Sequence, residues 1–93
     1  MSPARIVYVP IVADLFHYGH LQVLEFAAKK GDHVVCGLLT DEGVLTYRKP
    51  TITNYRERHA VLAALKCVHE ILPQHSKDST DNLRLLHEKY PAA

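Results

Sequence analysis

Several features that would point to particular classes of protein are scarce or absent in this chain. It has no tryptophan and two cysteines, and no apolar run approaches the roughly 20 residues that a bilayer-spanning helix needs. Cys36 and Cys67 lack the spacing of a metal site or a CxxC redox pair, which favours two buried, reduced thiols. The N-terminus lacks the charged region and long apolar stretch of a secretory signal. With a net charge of only +1, these absences predict a cytoplasmic protein without a nucleic-acid or membrane partner.

The residues that are present describe an ordinary globular chain. Its 93 residues, 47% of them hydrophobic and 23% charged, are enough for one domain, spanning residues 1–93. The apolar runs 5–9 and 33–39 read as buried strands on either side of a helix over 18–30 that Gly31 closes. Leu21, Leu24 and Ala28 recur at helical spacing, with Val23 and Ala27 widening that face. This order predicts a parallel, right-handed βαβ unit.

The second half continues the alternation. Residues 40–53 are polar and irregular, with at most a helical turn at their start. Asn54 and Glu57 form a capping-box pair for a helix that is expected to bury Val61, Leu62, Leu65 and Val68. A strand over 69–73, ended by Pro73, precedes a helix that begins near Ser79 or Thr80 and turns Leu83, Leu86 and Tyr90 to one face.

A helix in last position predicts a further strand beyond it. We therefore expect an α/β fold, a Rossmann-like parallel sheet with flanking helices, whose C-terminal part lies outside these residues. The alternative is an unusually short three-stranded sheet, which would bury little core.

The run from His17 to His20 stands where the first strand gives way to the first helix. In open α/β sheets ligands bind at this crevice, and a helix N-terminus favours anions. Gly19 has no side chain, so a phosphate could approach the backbone closely. The run therefore predicts a phosphate-binding site, although two polar residues can also simply begin a helix. The remaining histidines show no metal-ligand spacing, so we expect no protein metal site.

Four segments in order resemble the cytidylyltransferase-like nucleotidyltransferases over about residues 6–72. The family includes enzymes that activate glycerol 3-phosphate, phosphocholine or phosphoethanolamine with CTP, and relatives that act on phosphonates. The resemblance implies the HUP-type nucleotidyltransferase fold. The segments are Asp14-Leu15-Phe16-His17-Tyr18-Gly19-His20, Gly31-Asp32 with the strand leading to Thr40-Asp41-Glu42, Arg48-Lys49-Pro50, and Asn54-Tyr55-Arg56-Glu57-Arg58. Two departures accompany them: Ile11-Val12-Ala13-Asp14 stands where the family has Gly-x-Phe-Asp, and a later Arg-x-x-Gly-Ile-Ser motif is absent.

The resemblance implies catalytic roles for three residues. His17 and His20 would donate hydrogen bonds to phosphate oxygens as charge develops during transfer, and protonated imidazoles would strengthen this effect. Lys49 would neutralise the acceptor or the α-phosphate; otherwise it is a solvated loop lysine.

Four further residues are expected at the nucleotide. Phe16 and Gly19 belong to the signature itself. Asp14 either coordinates Mg²⁺, bound with the triphosphate, or fixes the turn before the histidines. Arg58 either grips the acceptor phosphate through its guanidinium or pairs with Glu57 or another surface acid.

The first functional hypothesis is cytidylyl transfer from CTP to a small phosphate or phosphonate, with release of pyrophosphate. A non-catalytic nucleotide-binding or dimerisation module is the alternative that the two departures favour. The third hypothesis is an adenylyl-transferring relative, but the Tyr55–Arg58 segment favours the cytidylyl-transferring enzymes. We also expect a homodimer, or a part of a larger chain, because relatives pair near the signature and a short sheet benefits from covered edges.

Overall fold

The computed structural model describes residues 5–90, which form a three-stranded parallel sheet and four helices. In chain order the elements are β1 (Ile6–Ile11), α1 (Tyr18–Lys30), β2 (His33–Leu39), α2 (Asp41–Leu45), α3 (Tyr55–Ala63), β3 (Glu70–Gln74) and α4 (Thr80–Lys89). The sheet order is β1-β2-β3, with Ile6 level with His33 and Val35 level with Glu70. The α/β class and the parallel βαβ unit are confirmed.

One face of the sheet carries the main core. Cys36 and Leu38 of the central strand pack with Leu24 of α1 and Leu62 of α3, and all four are fully buried. Burial raises the pKa of the Cys36 thiol to about 12, so this cysteine stays protonated, and both cysteines are free. The first and third helices therefore lie on the same side of the sheet, as two right-handed crossovers in one direction require.

The opposite face is held by buried polar groups. Tyr8 alternates with the core residue Val9 and so points to the other side. Its hydroxyl donates to Gln74 Oε1 and accepts from Asn82 Nδ2 at 2.8 Å. A Cβ on Gly37 would stand 1.8 Å from that hydroxyl, so only glycine leaves room for the network that fastens α4 to the sheet.

The structure corrects several element boundaries. β1 runs two residues further than expected, to Ile11, and β3 extends through Pro73 instead of ending there. Both strands are edges of the sheet, where a proline without an N–H is tolerated. The loop after β2 does begin with a short helix, and Gly31 does end α1. Gly31 has an extended backbone, and its Cβ would lie 2.6 Å from the Arg5 carbonyl oxygen.

Some residues expected in the core are not there. Val23, Val61 and Leu83 are about half exposed, at 53%, 45% and 49%. α3 ends at Ala63, so Leu65 and Val68 reach the core from the segment after the helix. The exposure of Val23, Val61 and Leu83 shows that helical periodicity overestimates burial at the margins of a thin, three-stranded sheet.

Candidate active site

The two signature histidines lie at the carboxyl end of β1. Together with Gly19 they line an open cavity of about 310 Å³ whose other walls are residues 9–13, from the end of β1 and the turn after it, and Val23. A cavity at this edge of a parallel sheet is where ligands of open α/β proteins bind. The structure therefore brings His17, Gly19 and His20 together, as the sequence predicts.

His17 and His20 cap the first helix reciprocally. The Gly19 N–H donates to His17 Nδ1 at 3.0 Å, and the His17 N–H donates to His20 Nδ1 at 3.0 Å. The two rings stand 4.0 Å apart between centroids, and the Phe16 ring stacks on His20 at 5.3 Å. Histidine here takes the place of the usual serine and glutamate of a capping box, so the cap also fixes both imidazoles.

This cap decides which ring nitrogen carries the proton. A neutral imidazole has one donor and one acceptor nitrogen, and in both rings Nδ1 is the acceptor. The hydrogen-bond network thus assigns the N–H to Nε2 of His17 and of His20. Burial, and then the neighbouring His17, lower the pKa of His20, while Asp14 opposes them. The lowered pKa of His20 favours its neutral form in the free protein, with Nε2–H as the donor.

Gly19 has a steric function in the same cap. A Cβ at this position would lie 2.8 Å from His17 Cε1 and 3.1 Å from its Nδ1. The absent side chain lets the His17 ring fold back over the helix start. The sequence accounted for this glycine only by the approach of a ligand.

The turn between β1 and α1 has a strained backbone. Ala13 and Leu15 have φ angles of 56° and 48°, in the left-handed region. Adopting this conformation costs a residue with a Cβ about 1–2 kcal/mol. Ala13 is buried, whereas Leu15 is largely exposed. Such conformations persist only where surrounding contacts hold them. No feature of the sequence at these positions signalled them, because neither residue is a glycine or an asparagine.

Asp14, between the two strained residues, tethers the loop before α3. Its carboxylate accepts from the N–H groups of Ile52 at 3.0 Å and Thr53 at 2.9 Å, and from the Thr53 hydroxyl at 2.7 Å. The bonds from Thr53 and Ile52 lower the pKa of Asp14 to about 2. Of the two expected functions, fixing the turn is the one this geometry supports.

Arg58 lies inside the fold, where its partners are protein oxygens. Its side chain is fully buried, and Nη2 donates to Asp41 Oδ1 at 2.7 Å. The guanidinium also donates to the carbonyl oxygens of Val12, Leu39 and Thr53. In this arrangement it does not face the cavity, so a contact with the acceptor phosphate is not supported. The expected alternative, an ion pair with an acidic side chain, is present, and its partner is Asp41.

Lys49 is exposed and is not among the residues that line the histidine cavity. It lies in the segment between α2 and α3, and within residues 5–90 it forms no ion pair. The next residues of the same segment, 50–52, line a second open cavity of about 220 Å³ with Leu45 and the polar residues Asp41, Asn54 and Glu57. The structure therefore does not bring Lys49 to His17 and His20.

Two further properties bear on the class of site. Over residues 5–90, the His, Cys, Asp and Glu side chains form no group of three that could hold a metal ion. Within the same range, none of the helices has the length and apolar character that crossing a membrane requires.

These observations define a Rossmann-like α/β domain with a histidine-lined cavity at the carboxyl edge of its sheet. The chain belongs to the cytidylyltransferase-like family, whose profile matches residues 12–92. It is 41% identical over 61 residues to a glycerol-3-phosphate cytidylyltransferase of Bacillus spizizenii, covering 66% of this chain and 47% of that protein. An ethanolamine-phosphate cytidylyltransferase of Arabidopsis thaliana is 35% identical over 71 residues, covering 76% of this chain and 17% of the other.

A solved structure shares the fold. The lipopolysaccharide core biosynthesis protein of Thermoplasma volcanium superposes with a TM-score of 0.82 at 26% identity, over 88% of this chain and 67% of that one. Among the relatives compared by sequence, the match spans about half the length of the Bacillus spizizenii glycerol-3-phosphate cytidylyltransferase. The family and the Rossmann-like fold expected from the sequence are confirmed.

Proposed function

We propose that this chain carries the phosphate-binding part of a nucleotidyltransferase that moves a cytidylyl group from CTP to a small phosphate or phosphonate. In this reaction an acceptor oxygen forms a bond to the α-phosphorus. The bond from that phosphorus to the bridging oxygen of the β-phosphate breaks, and pyrophosphate leaves. The protein has little covalent chemistry to perform, so positioning and charge stabilisation carry the catalysis.

The reciprocal histidine cap is the observation that supports this proposal best. With both Nδ1 atoms engaged by backbone N–H groups, the two Nε2–H groups remain as donors for a ligand in the cavity. Hydrogen-bond donors held in place by a helix cap need no reorganisation when charge develops on phosphate oxygens. The adjacent helix N-terminus adds a favourable dipole for the same anion.

The relatives support the choice of substrates. Those reported above are named for cytidylyl transfer to glycerol 3-phosphate and to ethanolamine phosphate. A phosphate monoester of this size is therefore the first acceptor to test, and CTP the first nucleotide. Adenylyl transfer and binding without catalysis are the other outcomes.

Lys49 and Mg²⁺ enter the proposal on chemical grounds. Lys49 is exposed on the segment between α2 and α3, and its ammonium group can neutralise a phosphate once the acceptor is bound. Asp14 fits Mg²⁺ poorly, because its carboxylate already accepts three hydrogen bonds. Mg²⁺, the expected companion of the triphosphate, would therefore neutralise phosphate charge without Asp14 as a ligand.

The test is pyrophosphate release by the protein with CTP or ATP, against glycerol 3-phosphate, phosphoethanolamine, phosphocholine and a small phosphonate. We expect turnover with CTP and at least one acceptor. His17→Ala and His20→Ala should each lower kcat by about 10²–10³-fold, the usual effect of removing one oxyanion donor. His75→Ala, which removes an exposed histidine elsewhere, is the matched control and should stay within about twofold of the wild type.

Three results would contradict the proposal in different ways. Turnover with ATP alone would make the chain an adenylyltransferase. CTP binding that His17→Ala abolishes, without turnover of any acceptor, would make it a nucleotide-binding module. If no pair turns over and His17→Ala leaves nucleotide binding unchanged, the histidines have no function toward the ligand.

A further inference from the structure

The strained turn before the histidines is held by hydrogen bonds on both sides of Ala13. Ala13 and Leu15 are both left-handed, and the residues on either side of Ala13 are tied to other parts of the fold. The Val12 carbonyl oxygen accepts a hydrogen bond from Arg58 Nη1 at 2.9 Å. The Asp14 carboxylate accepts from the backbone N–H groups of Ile52 and Thr53 and from the Thr53 hydroxyl. A turn in this conformation relaxes when such ties are removed.

Arg58 joins these ties to the sheet. The same Nη1 donates to Leu39 at the carboxyl end of β2 at 2.7 Å, and Nε donates to the Thr53 carbonyl at 3.2 Å. Thr53 in turn donates to Asp14. One guanidinium thus connects the ends of the first two strands with the loop that clasps the turn, and it does so while fully buried.

We propose that Arg58 is a positioning residue, which sets the His17–His20 pair by holding the 12–16 turn and contacts no ligand itself. Four of its hydrogen bonds already go to protein oxygens, and moving the side chain outward would leave buried carbonyls unpaired. Lysine cannot replace this arrangement, because its three donors lie on one atom and do not form the planar fork that reaches two strands and a loop.

The kinetic part of this inference rests on the proposed cytidylyl transfer, but its structural part does not. The position of the histidines is visible in the free protein through the ring-nitrogen signals in ¹⁵N NMR. Those signals distinguish an Nδ1 that accepts a hydrogen bond from one that is released. They respond to a displaced turn whether or not any nucleotide is turned over.

The experiment compares Arg58→Lys with Arg56→Gln, a neighbouring exposed arginine of the same helix. In Arg58→Lys we expect the His17 and His20 nitrogen signals of the free protein to move. We also expect kcat to fall at least tenfold, with the KM for CTP within about threefold. Arg56→Gln should change none of these. Wild-type protein that transfers nothing would refute the proposed function, while the NMR comparison would still test the positioning of the histidines.

Two outcomes would overturn the inference. Histidine signals that stay unchanged while the KM for CTP or acceptor rises tenfold would show that Arg58 binds the substrate directly. Unchanged signals with unchanged kinetics in the folded variant would make it a contributor to stability alone. If Arg58→Lys does not fold, Asp41→Asn decides instead. It weakens the ion pair at a half-exposed carboxylate, and histidine signals identical to the wild type would refute the positioning role.

Discussion

Replacing Gly19 with alanine should separate the stability of the first helix from the geometry of the histidine pair. The new Cβ would lie 2.8 Å from His17 Cε1, whereas carbon atoms pack at about 3.5 Å or more. The His17 ring is exposed and can yield, so the ring moves by several tenths of an ångström while the backbone stays. The bond from the residue 19 N–H to His17 Nδ1 is then stretched or lost.

Two opposing effects set the change in stability. Losing a side-chain cap costs about 1 kcal/mol, and alanine is favoured over glycine within a helix by about 1 kcal/mol. We therefore expect the free energy of unfolding to change by less than about 1 kcal/mol, measured by urea denaturation. The catalytic effect has no such compensation, because a displaced donor costs about 10²-fold in rate for a shift of 1 Å. Pyrophosphate release should accordingly fall by one to two orders of magnitude.

Gly31→Ala provides the matched control. Its Cβ would meet the Arg5 carbonyl oxygen and Val7 Cγ2, each at 2.6 Å, and backbone cannot move aside as an exposed ring can. This variant should lose stability while its folded fraction keeps the wild-type His17 signals and rate. A Gly19→Ala variant that retains kcat within about threefold, or that destabilises the fold by more than about 2 kcal/mol, would refute the steric function of Gly19 in placing the His17 ring.

Three further predictions concern the surroundings of the site. The pKa of Asp14 is lowered to about 2, so its carboxylate stabilises the fold above its unfolded pKa, and this contribution is lost as the pH falls from about 4 through 2. The urea midpoint of Asp14→Asn should thus lie below that of the wild type at pH 7, and the two midpoints should converge near pH 2. The His20 imidazole should titrate below the midpoint of an unstructured histidine peptide in an NMR pH series, since burial and His17 lower its pKa, and a midpoint above the peptide value would contradict the cap. Gly37→Ala should destabilise by about 2–3 kcal/mol in urea, because its Cβ overlaps the Tyr8 hydroxyl, and an unchanged midpoint would show that the polar network is not tightly packed.

The site could be predicted from the sequence where local chemistry determined it. A strand, a glycine between two histidines and a helix start are adjacent in the chain, so their proximity needs no knowledge of the rest. The capping of α3 by Asn54 and Glu57 is local in the same sense and is present as expected, with Asn54 Oδ1 accepting from the Glu57 N–H at 2.9 Å. Family and fold class followed from such segments taken in order.

The partners of Arg58 and Asp14 could not be predicted in that way. Arg58 meets Asp41, 17 residues earlier, and the Val12 carbonyl, 46 residues earlier. Asp14 meets Thr53, 39 residues away. Each of these side chains is compatible with a ligand contact when only its sequence neighbours are known. The assignment changes when the sheet brings a competing protein partner within hydrogen-bond distance.

The sequence by itself determined the alternation of strands and helices, the histidine signature and the family, because hydrophobic period and adjacent polar residues act over a few positions. Only the tertiary structure decided which polar groups face the cavity and which are used internally. Parallel strands bring distant carbonyl oxygens together at one edge, and a buried cation must satisfy them there. That requirement binds Arg58 to the scaffold and leaves His17 and His20 as the groups available to a ligand.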